Sequence, residues 1–240
     1  MDADEIKKQV GFAAVDEFVK SGMRLGLGTG STAVWAVRRL GGLLKAGKLQ
    51  GILAVATSSQ TEMECQKAGV PLRSLNDPEI GGCLDFAVDG ADEVDENLNL
   101  TKGGGGALLI EKIVAYSAAK FVVVVDSSKL VKNLGIAFPV PTEVLREARL
   151  AAAKAFAALG AEAQVRMAVK KMGAVITDNG NILLDLKFSR AFDPAEMEAL
   201  LSRIPGVLGN GVFSQHVAEV MVGYPDGRIG RLKKTEPQTP

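Results

Sequence analysis

The stretch that decides the fold is residues 89–111, which reads DGADEVDENLNLTKGGGGALLIE. The apolar run before it, residues 84–88, predicts a buried strand that ends in an acidic turn. Lys102 and four consecutive glycines come next. A helix is then predicted from Ala107 to about Ala119, and a helix that is apolar on nearly all sides is a buried one. The stretch therefore joins acids, a lysine and a flexible loop to one buried helix.

Glu111 carries a charge on this otherwise apolar helix. At helical spacing it lies beside Leu108 and Val114, and a carboxylate on such a face is costly to bury unless it is paired. One interpretation is a salt-bridged or snorkelling surface glutamate, with Lys112 as an ordinary neighbour. The other is a base whose basicity is set by burial. The acidic turn, the lysine and the glycine loop nearby favour the base.

The composition of the 240-residue chain limits the classes of function. The length suits one large domain, or one with a smaller companion. The 28 basic and 28 acidic residues cancel and form no basic tract, so nucleic acid is not an expected partner. No apolar run approaches the ~20 residues of a membrane span, so no membrane partner is expected. The acidic start, MDADEIKK, lacks the apolar core of a secretory signal, which predicts a cytoplasmic protein.

The cysteines and the histidine predict no metal centre. Cys65 in a predicted helix and Cys83 before a strand are interpreted as free buried thiols, because disulfides are rare in a reducing compartment. His216 is the single histidine of the sequence, and alone it cannot build a histidine-based metal site. We interpret it as a surface or interface residue.

A second glycine loop follows an early predicted strand and reads GLGTGSTA over residues 26–33. Glycine lets backbone N–H groups approach a phosphate, and the dipole of the following helix adds partial positive charge, so the loop is a predicted anion cradle. A tight turn without a ligand is the structural alternative. A dinucleotide site is disfavoured, because the acidic residue expected after the second strand is replaced by Thr57-Ser58-Ser59.

The alternation of strands and helices in the first part of the chain predicts a parallel sheet of the α/β class, in a Rossmann-like domain. Ligands of such sheets bind beyond the carboxyl ends of the strands, and residues 29–32, 89–92 and 126–129 all occupy that position. The predicted strands are residues 23–28, 52–57, 72–75, 84–88 and 121–125. The helices before the central one are residues 4–20, 33–40 and 59–68, the last capped by Ser58 or Ser59.

From about Leu134 the pattern changes to a smaller α+β domain, inserted near the C-terminus, whose expected role is support or subunit contact. Thr142 is expected to cap a helix to Leu159, and Asp193 to begin another to Arg203. The expected strands are residues 162–170, 174–177 and 182–188, with a turn at 178–181. A loop and strand over 209–222, a last strand and a polar, frayed tail after Lys234 complete the chain. The predicted domains are residues 1–133 with 209–240, and residues 134–208.

With these residues placed, the chain resembles the type A family of ribose-5-phosphate isomerases. The shared motifs run in order along nearly the whole chain: KK at residues 7–8, GxGTGSTA, DGADE, KGGG, EK nine residues after that lysine, DxSK, FPxPxEV and TDNGN. Several ordered motifs at matching spacing are far more specific than any one alone. The last third agrees less well, since Ser214-Gln215-His216 departs from the family pattern. Gly106 adds a fourth glycine to the loop.

The resemblance implies interconversion of ribose 5-phosphate and ribulose 5-phosphate in the pentose phosphate pathway, by a homodimer or homotetramer that needs no cofactor. It implies that Glu111 is the base and that Lys7 approaches the phosphate. The residues implied to bind substrate are Lys7, Thr29, Gly30, Ser31, Thr32, Asp89, Gly90, Ala91, Asp92, Lys102, Gly103, Gly104, Gly105 and Lys129.

The chemistry of that reaction suits these residue types. A proton moves between C2 and C1 through a cis-enediolate, which one base, Glu111, can serve. Lys102 and the N–H groups of the glycine loop can stabilise the developing oxyanion. Asp89 can move the proton between O1 and O2, and Asp92 can position hydroxyl groups.

Two other classes of function stay open: a binding module, and a different enzyme that is either a coenzyme A transferase or a nicotinamide enzyme. A sugar-phosphate-sensing module on a similar fold would bind ligand without turnover, although no DNA-binding segment is visible. A coenzyme A transferase also uses a glutamate on a related fold and would form an acyl-enzyme. A nicotinamide enzyme would change cofactor absorbance, and its acidic ribose ligand is missing. The isomerase remains the preferred hypothesis.

Overall fold

The computed structural model describes residues 1–233, so the predicted tail after Lys234 lies outside the described residues. Within that range the chain forms two compact units. The first contains Met1–Gly90, Val114–Lys129 and the residues from His216 onward, and the second contains Ala91–Ile113 and Leu130–Gln215. The domain boundaries expected above, 1–133 with 209–240 and 134–208, stay a prediction.

The described chain contains six α-helices and thirteen strands, with short 3-10 turns at Ser127–Lys129 and Arg146–Ala148. In chain order the elements are α1 (Ala3–Phe18), β1 (Arg24–Leu27), α2 (Ala33–Lys45), β2 (Leu53–Ala56), α3 (Ser59–Ala68), β3 (Phe86–Asp89), β4 (Glu93–Val94), β5 (Leu100–Thr101), α4 (Leu108–Tyr116), β6 (Phe121–Asp126), β7 (Val140–Val144), α5 (Arg149–Ala158), β8 (Ala161–Val165), β9 (Ile182–Phe188), α6 (Pro194–Ser202), β10 (Val207–Asn210), β11 (Val212–Phe213), β12 (Val217–Gly223) and β13 (Ile229–Lys233).

The first unit contains a six-stranded sheet in the order β13-β12-β6-β3-β1-β2. All neighbouring pairs are parallel except β12 with β13, which closes one edge antiparallel. The sequence of β6, FVVVVD, is buried from Phe121 to Val125, as expected of a parallel strand covered on both faces. Helices α1 and α2 pack against each other, and α1 also packs on β6. The predicted Rossmann-like parallel sheet is therefore confirmed.

The second unit is antiparallel and contains two sheets. The larger has the order β10-β7-β9-β8, and the smaller has the order β11-β5-β4. Helices α5 and α6 supply apolar side chains to its core, where Phe156 and Leu201 are fully buried with Leu186 of β9. This arrangement confirms the predicted α+β character of the smaller part of the fold.

Two helices begin at the capping residues that the sequence predicts. The Ser58 hydroxyl accepts a hydrogen bond from the backbone N–H of Thr61 at the start of α3, and Gly69 ends that helix at φ 72°. Asp193 caps α6 in the same way, through the N–H of Glu196. These two predictions are confirmed because side-chain caps are local signals.

The helix predicted to start at Thr142 is wrong in its first part, because residues 140–144 form the strand β7. This strand pairs antiparallel with β9 on one side and with β10 on the other. The sequence VPTEV is fully buried and mostly β-branched or apolar, whereas its proline favours a break. Helix α5 therefore begins only at Arg149.

Several other boundaries differ from the prediction. Residues 72–75 form only an isolated bridge between Leu72 and Ala54, and residues 174–177 make bridges at Ala174 and Ile176 without a strand. The strand predicted at 162–170 ends at Val165. Helix α2 continues to Lys45, five residues beyond its predicted end. The hairpin of β4 and β5 has strands of two residues each, too short to be visible as a periodic pattern.

Glu93 is a buried carboxylate that holds the second unit together. Its Oε2 accepts from the hydroxyl of Thr101 at 2.8 Å and from the backbone N–H of Gly135 at 2.8 Å. Its Oε1 accepts from the N–H of Phe138 at 3.0 Å. The glutamate of the DGADE motif thus ties the β4–β5 hairpin to the loop before β7, which is a structural role.

Glu93→Ala should destabilise the protein strongly, by roughly 3 kcal/mol or more, because two backbone N–H groups and a hydroxyl lose their acceptor away from water. Urea unfolding followed by circular dichroism measures the change. Glu96→Ala, at an exposed position three residues later, is the matched control and should stay within about 0.5 kcal/mol of the parent. Equal midpoints for the two variants would contradict the role of Glu93.

Candidate active site

Lys102 and Glu111 form a buried ion pair in the second unit. The Nζ atom of Lys102 lies 3.3 Å from Oε2 of Glu111, and the two residues are 2% and 4% exposed. Lys102 directly follows β5, and its backbone N–H donates to the carbonyl of Gly211 at 2.8 Å. Glu111 lies in the first turn of α4. The predicted burial of Glu111 is therefore confirmed, and its partner is the lysine of the KGGG motif.

The glycine loop between the two charges is held in place by side chains. Asp92 Oδ2 accepts from the backbone N–H of Gly104 at 2.7 Å. Arg166 donates to the carbonyl oxygens of Gly103 and Gly104, at 3.0 Å each, and its guanidinium is paired with Asp185. A Cβ at Gly104 would lie 2.5 Å from the Asp92 carboxylate. Contacts on both sides of its peptides thus order a loop that glycine alone would leave flexible.

Asp89 and the loop at Thr29 meet in the first unit, at the carboxyl ends of the adjacent strands β3 and β1. Asp89 is 3% exposed, and its Oδ1 accepts from the backbone N–H of Thr29 at 3.0 Å and of Gly90 at 2.7 Å. A Cβ at Gly28 would lie 2.0 Å from that carboxylate oxygen. Glycine at this position therefore makes room for the carboxylate.

The side chain of Thr29 belongs to a cluster of hydroxyl groups. Its Oγ1 lies 2.7 Å from Oγ1 of Thr57, 2.6 Å from Oγ of Ser58 and 3.1 Å from Oγ1 of Thr61. Thr57 and Ser58, which follow β2, thus support this loop. In the sequence these residues served to argue against a dinucleotide-binding site. The backbone of the loop remains the stronger candidate for contact with an anion than the Thr29 hydroxyl.

The rest of the loop has the features of an anion cradle. Gly30 adopts φ 110°, a conformation that glycine reaches without strain. Ser31 is exposed and Thr32 is half-buried, and the Thr32 side chain makes no capping hydrogen bond to α2. The N-terminus of a helix presents backbone N–H groups and partial positive charge to an anion.

The two outlying lysines of the prediction also lie in the first unit. Lys7 is half-buried on α1, and Lys129 is half-buried at the end of the 3-10 turn that follows β6. Asp126 shapes that turn, since its Oδ1 accepts from the backbone N–H of Ser128 at 2.9 Å. Whether these lysines bind phosphate stays a prediction.

The remaining candidate groups give little sign of chemistry. His216 is exposed, which confirms its predicted surface position, and its ring lies 4.5 Å from that of Tyr116. Cys65 is buried, and burial raises the pKa of its thiol to about 12. Cys83 is exposed, so the prediction of burial is wrong there.

Among residues 1–233, no group of three or more His, Cys, Asp and Glu side chains could hold a metal ion. None of the helices described is both long and apolar enough to cross a bilayer.

Sequence reasoning missed two side chains that make contacts at or next to the candidate residues, Arg166 and Glu198. Arg166 lies 62 residues from the glycine loop that it contacts, and no spacing rule links them. Lys112, an ordinary neighbour only in the disfavoured alternative, forms an ion pair with Glu198 at 2.6 Å, and no sequence pattern indicated that partner. Such pairings depend on how strands and helices are brought together, which local patterns do not encode.

The fold and these groups define an α/β protein with a buried carboxylate–ammonium pair beside a glycine loop, and with a separate glycine loop suited to an anion. A carboxylate next to an ammonium can remove a proton from carbon while a neighbouring positive charge stabilises the resulting anion.

Comparison with known proteins gives the family. The family model of ribose 5-phosphate isomerase A (phosphoriboisomerase A) matches residues 53–227. The chain is 48% identical over 239 residues to a protein named ribose-5-phosphate isomerase A from Treponema denticola, with 97% of this chain and 100% of the relative covered. The relative of the same name from Thermosynechococcus vestitus is 49% identical over 237 residues, with 99% and 96% covered.

Solved structures with a similar fold belong to the same family. A D-ribose-5-phosphate isomerase in complex with phospho-erythronic acid superposes with a TM-score of 0.92 at 43% identity, covering 97% of this chain and all of that one. The ribose 5-phosphate isomerase A of Methanocaldococcus jannaschii gives a TM-score of 0.91 at 43% identity with the same coverage. The chain belongs to the ribose-5-phosphate isomerase A family.

Proposed function

We propose that this protein interconverts ribose 5-phosphate and ribulose 5-phosphate through a cis-enediolate, in the non-oxidative pentose phosphate pathway. The observation that carries the proposal is the buried Lys102–Glu111 pair, at 3.3 Å. An aldose–ketose isomerisation moves one proton between neighbouring carbons and needs a base and a positive charge close together. Family membership supplies the identity of the sugar phosphate.

Glu111 is the proposed base. It removes the proton from C2 of the aldose, and the C–H electron pair forms the C1=C2 bond while the carbonyl pair moves onto O1. It then returns the proton to C1 as O2 loses its proton and becomes the ketose carbonyl oxygen. Lys102 holds the negative charge that develops on oxygen, in a buried environment where such an interaction is stronger than in water. The loop of Gly103, Gly104 and Gly105 lines the substrate on this side.

Asp89 is the proposed carrier of the proton between O1 and O2, and it also assists opening of the sugar ring. Its Oδ1 is oriented by the N–H groups of Thr29 and Gly90, which hold the carboxylate at the end of β3. Asp92, next to Ala91, is proposed to orient substrate hydroxyl groups as well as the N–H of Gly104.

The phosphate of the substrate is proposed to bind at residues 29–32, with Lys7 and Lys129 supplying positive charge. Contacts this far from the reacting carbons use binding energy to orient them. Phospho-erythronic acid, the ligand in a similar structure, is a suitable phosphorylated probe of the same groups.

The finer statements about assembly and location are proposals too. Val169 and Met172 are almost fully exposed on the second unit, and Met167 is 62% exposed. Large apolar side chains at one surface often mark a contact between proteins, so we propose that a second copy of the chain covers them in a homodimer or homotetramer. The free thiols Cys65 and Cys83 fit a cytoplasmic location.

The direct test is incubation of the purified protein with ribose 5-phosphate alone, followed by an assay for the ketose. We expect ribulose 5-phosphate to accumulate to equilibrium without added nicotinamide, coenzyme A or metal ion. Binding without ketose would indicate a sensing module instead, and ketose that forms only with an added cofactor would contradict the proposal.

Glu111→Gln should lose kcat by about 10⁴-fold, the upper end for a positioned acid–base group, because this base must serve both carbons. Glutamine keeps the size of the side chain but cannot accept the carbon-bound proton. Steady-state kinetics measure the loss, and binding of phospho-erythronic acid should remain. If Glu111→Gln keeps more than a tenth of the parent kcat, Glu111 is not the base.

Gly28→Ala should lower kcat/KM by about 10²-fold, since the new methyl group must displace the carboxylate of Asp89 and a shift of about 1 Å has that effect. Gly42→Ala is the matched control, because nothing lies within 4 Å of its Cβ and it should leave activity unchanged. Parent activity in both variants would show that the position of Asp89 does not matter.

Lys7→Ala and Lys129→Ala should raise KM more than they lower kcat, because the phosphate does not change during the chemistry. Some loss of kcat is expected, since remote binding also supports orientation. The role of either lysine is refuted by a variant that keeps the parent KM but loses most turnover.

A further inference from the structure

Lys112 follows the proposed base directly in the chain and makes several polar contacts in the second unit. Its Nζ donates to Oε1 of Glu198 at 2.6 Å and to the carbonyl oxygen of Val212 at 2.6 Å. Asn210 Oδ1 lies 3.4 Å from the same nitrogen. An ammonium has three N–H donors, which suits such a set of oxygen acceptors. Lys112 therefore links α4 to α6 and to the β10–β11 segment.

Glu198 on α6 is the counter-charge and is 6% exposed. Its Oε2 accepts from the backbone N–H of Ser214 at 2.9 Å and from the Ser214 hydroxyl at 2.6 Å. Burial alone would raise the pKa of Glu198, but the charge of Lys112 and the Ser214 hydrogen bonds outweigh burial and lower this pKa. Burial lowers the pKa of Lys112, while the charge of Glu198 and the hydrogen bond to Glu198 act in the opposite direction.

The strand β11 also reaches the other half of the catalytic pair. It pairs antiparallel with β5, and the backbone N–H of Lys102 donates to the carbonyl of Gly211 just before β11. The ring of Phe213 lies 5.5 Å from Nζ of Lys102 and 4.6 Å from Nζ of Lys112. Residues 211–213 thus contact both the backbone of Lys102 and the side chain next to Glu111.

We propose that Lys112 is a positioning residue for the isomerisation. Through Glu198 and the carbonyl of Val212 it holds α4 against β11, so that Glu111 keeps its distance from Lys102. This inference rests on the proposed role of Glu111 as the base. Because a shift of about 1 Å can cost about 10²-fold in rate, a small rotation of α4 is measurable.

The test compares the kinetics of Lys112→Met, Glu198→Gln and the double variant with those of the parent. Methionine fills space without the charge, and glutamine can still accept from Ser214. Each single variant should lower kcat roughly 10- to 100-fold with KM near the parent value, because the substrate contacts are retained. The double variant should lose no more than the worse single variant, since both act through one contact.

The acid limb of the kcat/KM pH profile provides a readout that stability alone does not move. If α4 rotates, the carboxylate of Glu111 moves away from the ammonium of Lys102. The ionised form of Glu111 is then less stabilised, so the acid limb shifts to higher pH. Phe156→Leu, in the core of the second unit, is the control for destabilisation. It should lower the free energy of unfolding and leave kcat and the pH profile at parent values.

Parent kcat and an unmoved acid limb in folded Lys112→Met would overturn the inference, as would losses that multiply in the double variant. If Lys112→Met does not fold, Glu198→Gln, which keeps acceptors for Ser214, decides in its place. An active Glu111→Gln would refute the proposed base and this inference with it. An inactive Glu111→Gln beside a fully active Lys112→Met would refute the positioning role alone.

Discussion

The buried ion pair of Lys102 and Glu111 is the interaction on which the candidate site depends. Removing two charges from water costs several kcal/mol per ion, so such a pair persists only where its geometry is well held. Here β5 and the Gly211 carbonyl fix the backbone of Lys102, and α4 carries Glu111. Gly103 and Gly106, at φ 99° and 82°, let the chain reverse between them. Glycine at positions 103 and 106 is thus favoured by the backbone conformation itself.

The acidic side chains of residues 89–93 have different structural roles. Asp89 is oriented by backbone N–H groups of its own loop and of the Thr29 loop. Asp92 holds the glycine loop through Gly104. Glu93 is buried and accepts hydrogen bonds from backbone N–H groups of the loop before β7, which is a structural role. The motif combines candidate chemistry with fold stability, so a substitution within it must be assayed for both.

The sequence predicted the parts of the fold that depend on local signals and failed where pairing across the chain decides. The apolar run of β6 and the caps of α3 and α6 were readable because each acts within a few residues. The strand β7 was not, since its neighbours β9 and β10 lie far along the chain and Pro141 favours a break. The candidate site divides the same way: Glu111 was visible on its apolar helix, but Arg166 and Glu198 were not.

Exchange of the C2 hydrogen of ribose 5-phosphate with solvent tests the central claim most directly, because it reports removal of that proton by the base. The substrate is incubated in deuterium oxide with the parent or with Glu111→Gln, and deuterium at C2 is followed by nuclear magnetic resonance. We expect rapid exchange with the parent and none above background with the variant. Exchange by Glu111→Gln near the parent rate would contradict it and would make Asp89 the next base to test.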